Sequence, residues 1–307
     1  MVNYWERTIS TKQVYGETSV FKNARSIGFK DVNSSNPFCP LALQKLQLYA
    51  LGLSYLNEKS NFSFIDMSFT DQANISKFII VDSNISLSSS LISKSMIKSV
   101  SKIKFDNSDI VSVSKDIFEE MNYLKHVSLD FMDFNKLMSK NTIKTMLKNV
   151  NKNLSMNSTI DYAILGQEMF ALEIKDEWLN LTDDKICIYK EFPFDRYIVP
   201  FLFGLVKDKC NCAYRFLNMF GPLFQGYAEK LSRFGGVKQS DCLLKDNFYD
   251  ELLKCDIDKR IAECYKKENK TAPAGSDQKY TNLIKSIIST PSKKNSFKVP
   301  ITLGEDY

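Results

Sequence analysis

TIDYAILGQEMFALEIKDEW, residues 159–178, contains two apolar runs that a Gly-Gln pair separates. Asp161 lies near the start of the first run, and Glu173 and Lys175 lie at the end of the second. Residues two apart on a β-strand point to the same face, so Glu173 and Lys175 share a face and Ile174 lies opposite. The stretch therefore predicts two strands that form a hairpin, with acidic side chains at neighbouring strand ends.

Acidic side chains at adjacent strand ends are typical of sites for Mg²⁺ or Mn²⁺, which prefer hard oxygen ligands and keep some of their water. Such an ion lowers the pKa of a bound water and neutralises charge that develops on a phosphate. Asp161 followed by Glu173-Ile174-Lys175 fits the core pattern of the PD-(D/E)xK nucleases. The alternative interpretation is a hairpin whose charged ends keep a sheet edge solvated.

The composition is that of a folded globular protein. The chain has 307 residues, of which 44% are hydrophobic and 25% are charged, and 22 Phe with 14 Tyr argue against disorder. Such a length suits one large domain or two small ones. The net charge of +5 favours anionic partners such as nucleic acid without requiring them.

The cysteines and the single histidine limit the metal chemistry. Seven cysteines are scattered along the chain, and His126 is the one histidine, so a zinc site is not expected. We expect reduced thiols in a cytoplasmic or nuclear protein. Neither an apolar signal core at the start nor a run long enough to span a membrane is found in the sequence.

Apolar periodicity predicts both helices and strands, with no internal repeat. Two segments are ambiguous: 84–95 is expected to be a loop or weak helix, and 97–105 a strand or a helix. Further strands are expected at 61–69, 76–83, 186–192 and 212–220, and helices at 38–56, 115–127, 135–154, 195–207, 281–289 and over most of 223–266.

The flanks of the quoted stretch extend the nuclease pattern. After a polar insert come the segment FLFG at 201–204 and the pair Tyr214-Arg215, and Glu119 lies 42 residues before Asp161. This order of an acidic residue, an ExK strand, an FLxG segment and an aromatic-Arg pair resembles the DXO-type decapping exoribonucleases. Members of that family act on the 5′ ends of RNA through a PD-(D/E)xK-like site.

The resemblance covers residues 38–230 by element order and residues 161–220 by motif. It implies an α+β fold with a mixed β-sheet core of PD-(D/E)xK nuclease type flanked by helices. It places one nuclease-like domain at 37–266, between an irregular arm at 1–36 and a C-terminal extension at 267–307 that packs on the domain. It also implies a cofactor, Mg²⁺ or Mn²⁺. The residues that it assigns are Glu119, Asp161, Glu173 and Lys175 to catalysis, and Glu119, Asp161, Glu173 and Ile174 to the metal.

Three positions depart from the family pattern. Thr159 replaces a glutamate, Val199 replaces a glutamine, and the segment PFCPLALQK at 37–45 lacks the family's arginine. A hydroxyl does not supply a carboxylate's charge to a divalent ion, and a valine donates no hydrogen bond. These changes predict a weakened metal site and weak or absent catalysis.

Three functions follow from these observations. The first is a diverged family member that binds RNA 5′ ends, or a protein partner, with little or no catalysis. The second is an active metal-dependent decapping exoribonuclease. The third is a basic nucleic-acid-binding or viral structural protein in which the ExK motif is incidental. Membrane association is not expected, and the sequence does not indicate the oligomeric state.

Overall fold

The chain divides into two compact units. Unit 1 comprises Met1–Leu137, Asn141–Ser158 and Thr302–Tyr307, and unit 2 comprises Met138–Lys140 and Thr159–Ile301. The sequence predicts different boundaries, with an arm at 1–36, a domain at 37–266 and an extension at 267–307. These three segments stay predictions. The computed structural model describes residues 24–30, 46–57, 74–88, 91–92, 94–114, 117, 121, 123–140, 142–143, 147, 170–192, 194, 198–206, 210–223, 247–273 and 275–289.

Unit 1 is built on parallel strands that follow one another in chain order. They are β1 Ser26–Lys30, β2 Gln47–Ser54, β3 Asn74–Val81, β4 Asn84–Leu87, β5 Lys102–Asp106, β6 Asp109–Val113 and β7 His126–Asp130. Strands β1, β2, β3, β5 and β7 neighbour one another in that order, and β4 pairs with β6 in a second, two-stranded sheet. Helix α1, Lys94–Ile97, lies in this unit, and helix α2, Phe131–Ser139, begins in it.

The strands of the larger sheet recur at a nearly constant interval. The register aligns Ser26, Ala50, Lys77, Lys102 and His126, so successive strands lie 24, 27, 25 and 24 residues apart. Each strand therefore belongs to one turn of a repeating unit that stacks in parallel on the next. The prediction that the chain has no internal repeat is wrong, because the repeat conserves apolar character and not residue identity.

The turns of β2, β3, β5 and β7 bury apolar residues at the same spacing, apolar-x-x-apolar-x-apolar. None of these side chains exposes more than 4% of its surface, so they form one continuous core between stacked turns. The sets are Leu48, Leu51 and Leu53; Ile75, Phe78 and Ile80; Val100, Ile103 and Phe105; and Leu124, Val127 and Leu129.

A ladder of polar side chains connects the turns that follow the strands. The Ser83 hydroxyl accepts the N–H of Leu56 at 3.0 Å, and the Ser108 hydroxyl accepts the N–H of Ser83 at 3.2 Å. Each hydroxyl also donates within its own turn, Ser83 to the Val81 carbonyl and Ser108 to the Asp106 carbonyl. Both serines are buried, so the ladder satisfies backbone groups that water does not reach.

The backbone of these turns repeats as well. Tyr55, Asp82 and Asn107 have positive φ angles of 57°, 48° and 48°, and each precedes the position that Leu56, Ser83 or Ser108 occupies. Positive φ is tolerated best by Asn and Asp among residues with a side chain, so two of the three turns carry a residue suited to it. Tyr55 is the exception.

Unit 2 combines two parallel strands with several helices. Strand β8, Phe170–Leu179, pairs in parallel with β9, Ile198–Val206. The helices are α3 Cys212–Leu217, α4 Phe248–Lys254, α5 Ile257–Lys267 and α6 Lys279–Ser289, and a 3-10 helix spans Asp183–Tyr189. The chain thus has mixed helix and strand content with a mostly parallel sheet, which confirms the coarse fold class.

Side chains cap two of these helices. Asn211 accepts the N–H of Tyr214 at 2.9 Å at the start of α3. The buried Asp258 of α5 accepts the N–H groups of Tyr280 and Thr281 at 2.9 and 2.8 Å, which satisfies the first turn of α6 and holds it against α5. The helices therefore pack through polar as well as apolar contacts.

Some predicted elements are confirmed. The strand at 76–83 corresponds to β3, the helix at 281–289 to α6, and the ambiguous segment 97–105 contains strand β5. Helices α4 and α5 lie in the segment predicted as mostly helical, and α2 overlaps the start of the helix predicted at 135–154. The strand predicted at 61–69 lies outside the described residues.

Other predicted elements are wrong. The described part of the helix expected at 38–56 is strand β2, and the helix expected at 195–207 is strand β9. The strand expected at 186–192 overlaps the 3-10 helix, and the strand expected at 212–220 is helix α3. Asn84–Leu87, expected in a loop or weak helix, is strand β4. Among the described residues, no helix has the length and apolar character needed to cross a membrane.

We expect Ser108→Ala to lower the free energy of unfolding by about 1–3 kcal/mol, because it leaves the buried N–H of Ser83 without its acceptor. Ser112→Ala is the matched control, since the Ser112 hydroxyl makes an exposed hydrogen bond to Ser86, and its effect should stay within about 0.5 kcal/mol. Urea unfolding measures both. Equal effects of the two substitutions would show that the ladder does not stabilise the stack.

Asp133 continues the ladder with a carboxylate. Its Oδ1 accepts the N–H of Ile110 at 3.2 Å, while its Oδ2 is buried without a hydrogen-bond partner in the described part of the chain. Burial raises the pKa of Asp133 to about 6, and the nearby Asp109 adds to the effect. The folded state therefore favours the protonated carboxyl, and the stability that this group contributes below its ordinary pKa of 3.8 is lost as the pH rises through about 6.

We predict that Asp133→Asn raises the free energy of unfolding at pH 7 by about 1–3 kcal/mol, because asparagine keeps the acceptor for Ile110 and removes the buried charge. The advantage should disappear near pH 4. Urea unfolding of both proteins from pH 4 to pH 7.5 measures it. A variant that is less stable than the parent at pH 7 would show that the carboxylate is needed in its charged form.

Candidate binding surface

The residues predicted for a metal site are described only in part. Glu119 and Asp161 lie outside the described residues. Glu173 and Lys175 lie on β8 by their backbone, and Ile174 between them is fully buried. Strand β8 pairs in parallel with β9, where Glu173 is the register partner of Phe201. No group of three or more His, Cys, Asp or Glu with metal-binding geometry occurs in the part of the chain that the structure describes.

The predicted aromatic-Arg pair has a structural role. Tyr214 is fully buried in helix α3, and Arg215 exposes 8% of its surface. The Arg215 guanidinium donates to the carbonyls of Cys210 and Phe248 at 2.9 and 3.4 Å and lies 5.4 Å from the centre of the Phe248 ring. Burial lowers the pKa of Arg215. This arginine fixes α3 against α4. The family pattern places the aromatic-Arg pair at the end of a strand, whereas here it lies in a helix.

The face of the larger sheet opposite the core of unit 1 forms rows of aligned side chains. Because side chains alternate along a strand, residues between the buried positions lie on this outer face. The strand register sets three rows, which run across the strands. They are Ser26, Ala50, Lys77, Lys102 and His126; Gly28, Gly52, Ile79, Lys104 and Ser128; and Lys30, Ser54, Val81 and Asp106. Of these residues Ala50, Gly52 and Ser128 are buried.

Lysines concentrate on the middle strands of the outer face. Lys77 of β3 is the register partner of Lys102 of β5, and Lys104 follows two residues further along β5. Lys104 forms an ion pair with Asp106 at 2.9 Å on the same strand. Strands β3 and β5 therefore carry three of the four lysines in the rows.

Two exposed tyrosines flank the rows. Tyr49 and Tyr55 expose 51% and 50% of their surface. The ammonium of Lys77 lies 6.0 Å from the centre of the Tyr49 ring, and that of Lys30 lies 4.9 Å from the centre of the Tyr55 ring. Both are cation–π contacts. We call Lys30, Tyr49, Tyr55, Lys77, Lys102 and Lys104 the basic–aromatic face.

A shallow depression of about 470 Å³ lies where the strands end. Asn107 donates to Asp82 at 2.5 Å across it, and Lys136 forms an ion pair with Asp109 at 2.7 Å. The depression is thus polar and partly acidic, in contrast to the lysine-rich rows beside it. It is lined by Tyr55, Leu56, Asn57, Asp82, Ser83, Asn84, Asn107 and Asp109.

Disulfides hold the helices of unit 2 together. Cys187 is bonded to Cys264 and Cys212 to Cys255, with Cα–Cα distances of 5.4 and 5.6 Å that are usual for disulfides. Cys210 is disulfide-bonded as well. The prediction of reduced thiols is wrong. The cysteines that pair lie 77 and 43 residues apart, so their connectivity was not visible in the sequence.

No family model, curated protein or solved structure matches the chain.

The signal in the sequence for this surface is a recurring pattern of apolar residues. The pattern apolar-x-x-apolar-x-apolar recurs with Ser83 and Ser108 at the same distance from each set. Aligning the chain on that pattern places Lys77 opposite Lys102, which no analysis of single elements does. The signal lies in the repetition and not in any one segment.

We predict that mass spectrometry of the unreduced protein finds peptides linked through Cys187–Cys264 and through Cys212–Cys255. Replacing either pair by alanine should lower the free energy of unfolding by about 2–5 kcal/mol, because each disulfide restricts a long loop of the unfolded chain. Thermal unfolding with and without a reductant is the second measurement. Free thiols at these four cysteines in the purified protein would contradict the prediction.

Proposed function

We propose that unit 1 is a solenoid of leucine-rich-repeat type and that the protein binds a protein partner through its basic–aromatic face. The observation that carries the proposal is the parallel stacking of strands at intervals of 24–27 residues. Leucine-rich repeats have 20–29 residues with the pattern L-x-x-L-x-L-x-x-N/C-x-L, in which each repeat contributes one strand. Ser83 and Ser108 take the place of the Asn or Cys.

The separation of core and outer positions supports a binding role. Within each turn the apolar positions make the core, and the residues between them contribute little to it, as the 0% exposure of Phe78 and Ile80 beside the less buried Lys77 illustrates. Repeat proteins use such extended faces to bind their partners. Exposed tyrosines such as Tyr49 are enriched at binding interfaces.

The disulfides support an oxidising compartment, such as a secretory lumen, a cell surface or the exterior. Disulfides persist there and are rare in cytosolic and nuclear proteins. The proposal therefore departs from the cytoplasmic or nuclear location expected from the sequence. It rests on Cys187–Cys264 and Cys212–Cys255.

The nuclease hypothesis stays a prediction. A PD-(D/E)xK core, Mg²⁺ or Mn²⁺ and the 5′ end of RNA all depend on Glu119, Asp161, Glu173 and Lys175, of which no side chain is described. The two elements that the resemblance placed after the ExK motif, a helix at 201–204 and a strand ending at Arg215, are a strand and a helix instead. No described contact favours it over the binding role.

Photo-crosslinking tests the binding role. A benzophenone amino acid at position 49 should crosslink to one defined partner in the organism's own extracellular or secretory fraction. The same substitution at Tyr123, which is 64% exposed but lies before β7 and is not part of the basic–aromatic face, should not crosslink to that partner. A partner that is captured equally from both positions would contradict the proposed face.

An RNA assay tests the competing hypothesis on the same preparation. The protein is incubated with 5′-labelled RNA and Mn²⁺, beside a Glu173→Ala variant. Under the proposal both proteins leave the RNA intact. Degradation by the parent that the variant lacks would replace the proposal with the nuclease hypothesis.

A further inference from the structure

We propose that the chain carries N-linked glycans at Asn74, Asn84 and Asn180. This inference rests on the oxidising compartment of the proposed function and adds a covalent modification that takes place there. Three observations carry it: the number of acceptor motifs in the sequence, the exposure of their asparagines, and the lack of another structural role for these side chains.

The acceptor motif Asn-x-Ser/Thr, in which x is any residue except proline, occurs eight times in the sequence. The chain has 23 Asn, and 45 of its 307 residues are Ser or Thr, so composition alone places a Ser or Thr two residues after about three asparagines. The motif is therefore more than twice as frequent as the composition requires. Its asparagines are Asn33, Asn61, Asn74, Asn84, Asn153, Asn157, Asn180 and Asn269, of which the structure describes Asn74, Asn84, Asn180 and Asn269.

All four of the motif asparagines that the structure describes are exposed. Asn74 and Asn84 are the first residues of β3 and β4, and Asn180 follows β8. Successive side chains of a strand point to opposite faces, so a buried neighbour directs the asparagine to solvent. The neighbours that follow them, Ile75, Ile85 and Leu181, expose 0%, 4% and 1% of their surface. A bulky sugar on these asparagines therefore leaves the packing of the core unchanged.

The fold gives Asn74, Asn84 and Asn180 no other role. Asparagine is depleted in β-strands, yet two of the three begin strands. Their side-chain amides make no hydrogen bond within the described part of the chain. Asn211 and Asn218, whose side chains cap α3 and accept a buried backbone N–H, lie outside the motif. The asparagines of the motif and those that hold the fold are therefore different residues.

Asn269 is a different case. It follows α5 with a φ of 55°, and asparagine is one of the residues that end helices in this left-handed conformation. The fold accounts for this asparagine, so the proposal is limited to the other three.

The proposed sites are compatible with the proposed binding face. The residues that β3 contributes to the three rows are Lys77, Ile79 and Val81, and neither Asn74 nor Asn84 is among the row residues. Asn84 lines the depression beyond the strand ends. A glycan at Asn84 thus lies at the depression, and no residue of the basic–aromatic face is modified.

The modification transfers an oligosaccharide from a lipid-linked diphosphate donor to the side-chain amide. A bond forms between Nδ2 of asparagine and C1 of the first sugar, while the bond between that carbon and the diphosphate oxygen breaks. The amide nitrogen loses one proton, and the lipid diphosphate leaves with the bonding electron pair. The donor belongs to the secretory pathway, where disulfides also form.

Mass spectrometry of the full chain, purified with its disulfides intact from the secretory or extracellular fraction of its own organism, tests the inference. A peptide N-glycosidase releases the glycan and converts the linked asparagine to aspartate, so water enriched in heavy oxygen labels each modified site. We expect labelled aspartate at positions 74, 84 and 180, and a loss of mass from the intact chain. Unmodified asparagine at all three positions overturns the inference.

Variants at Ser76 separate the motif from the asparagine within it. The chain is expressed through the secretory pathway of a eukaryotic cell. Ser76→Ala should abolish the label at Asn74, while Ser76→Thr restores the motif and should keep it. Asn282→Gln is the matched control, because Asn282 is exposed in α6 outside the motif, and it should leave the mass of the attached glycans unchanged. A glycan that persists at Asn74 in Ser76→Ala contradicts the proposed site.

Disulfide mapping of the same sample distinguishes a failure of this inference from a failure of the proposed compartment. If the disulfides are present and the three asparagines are unmodified, the compartment stands and the modification alone is wrong. If the cysteines are free thiols and the asparagines are unmodified, the compartment and the modification are both wrong. Crosslinking from position 49 tests the binding role independently of either result.

Discussion

Stacking of one turn on the next is the constraint on which unit 1 depends. A single turn of about 25 residues has too little apolar surface to fold alone, so its core residues are buried only when a neighbour covers them. The backbone groups of the turn need acceptors at the same time, and Ser83 and Ser108 provide them from the adjacent turn. Apolar burial and backbone hydrogen bonding thus both depend on the adjacent turn. The sequence therefore has to specify the register in which neighbouring strands pair.

Asp133 shows what happens where this arrangement meets a helix. The ladder requires an acceptor for the N–H of Ile110, and the position lies in the first turn of α2, where a negative charge is favourable. Burial opposes the charge and raises the pKa of the carboxyl to about 6. Ser83 and Ser108 have no such dependence on pH, because a hydroxyl accepts and donates hydrogen bonds without becoming charged. The junction between strand stack and helix is therefore the one point of the ladder whose strength depends on pH.

The sequence predicts individual elements of this chain only where one period dominates. In β3 a short run rich in isoleucine leaves no alternative to a strand, and in α6 Ile284 and Ile287 recur at helical spacing. In β2, however, the intervals between Leu48, Leu51, Leu53 and Leu56 are three, two and three residues, which fits part of a helical stripe as well as a strand. Such mixed spacing is the signature of the repeat and misleads any analysis of one element at a time.

Two further errors have different causes. The run IVPFLFGLV at 198–206 is apolar throughout, and periodicity does not distinguish a buried strand from a buried helix in such a run. Helix α3 is buried on every side in the same way, so no polar stripe marks it as a helix. The cap at Asn211, the contacts of Arg215 and the disulfide at Cys212 hold it in place. Both elements belong to the segment on which the nuclease resemblance depended. The resemblance therefore loses two of the elements that carried it, while the nuclease function stays a prediction.

Lys77 and Lys102 bring the fold and the function together. Strand register places them opposite each other, and the register is determined by core residues on the other side of the sheet, which gain nothing from the identity of either lysine. A repeat protein can change such outer residues without altering its stack, because stability and recognition occupy opposite faces of the same strands. The composition of the outer face is in this respect independent of the packing of the core.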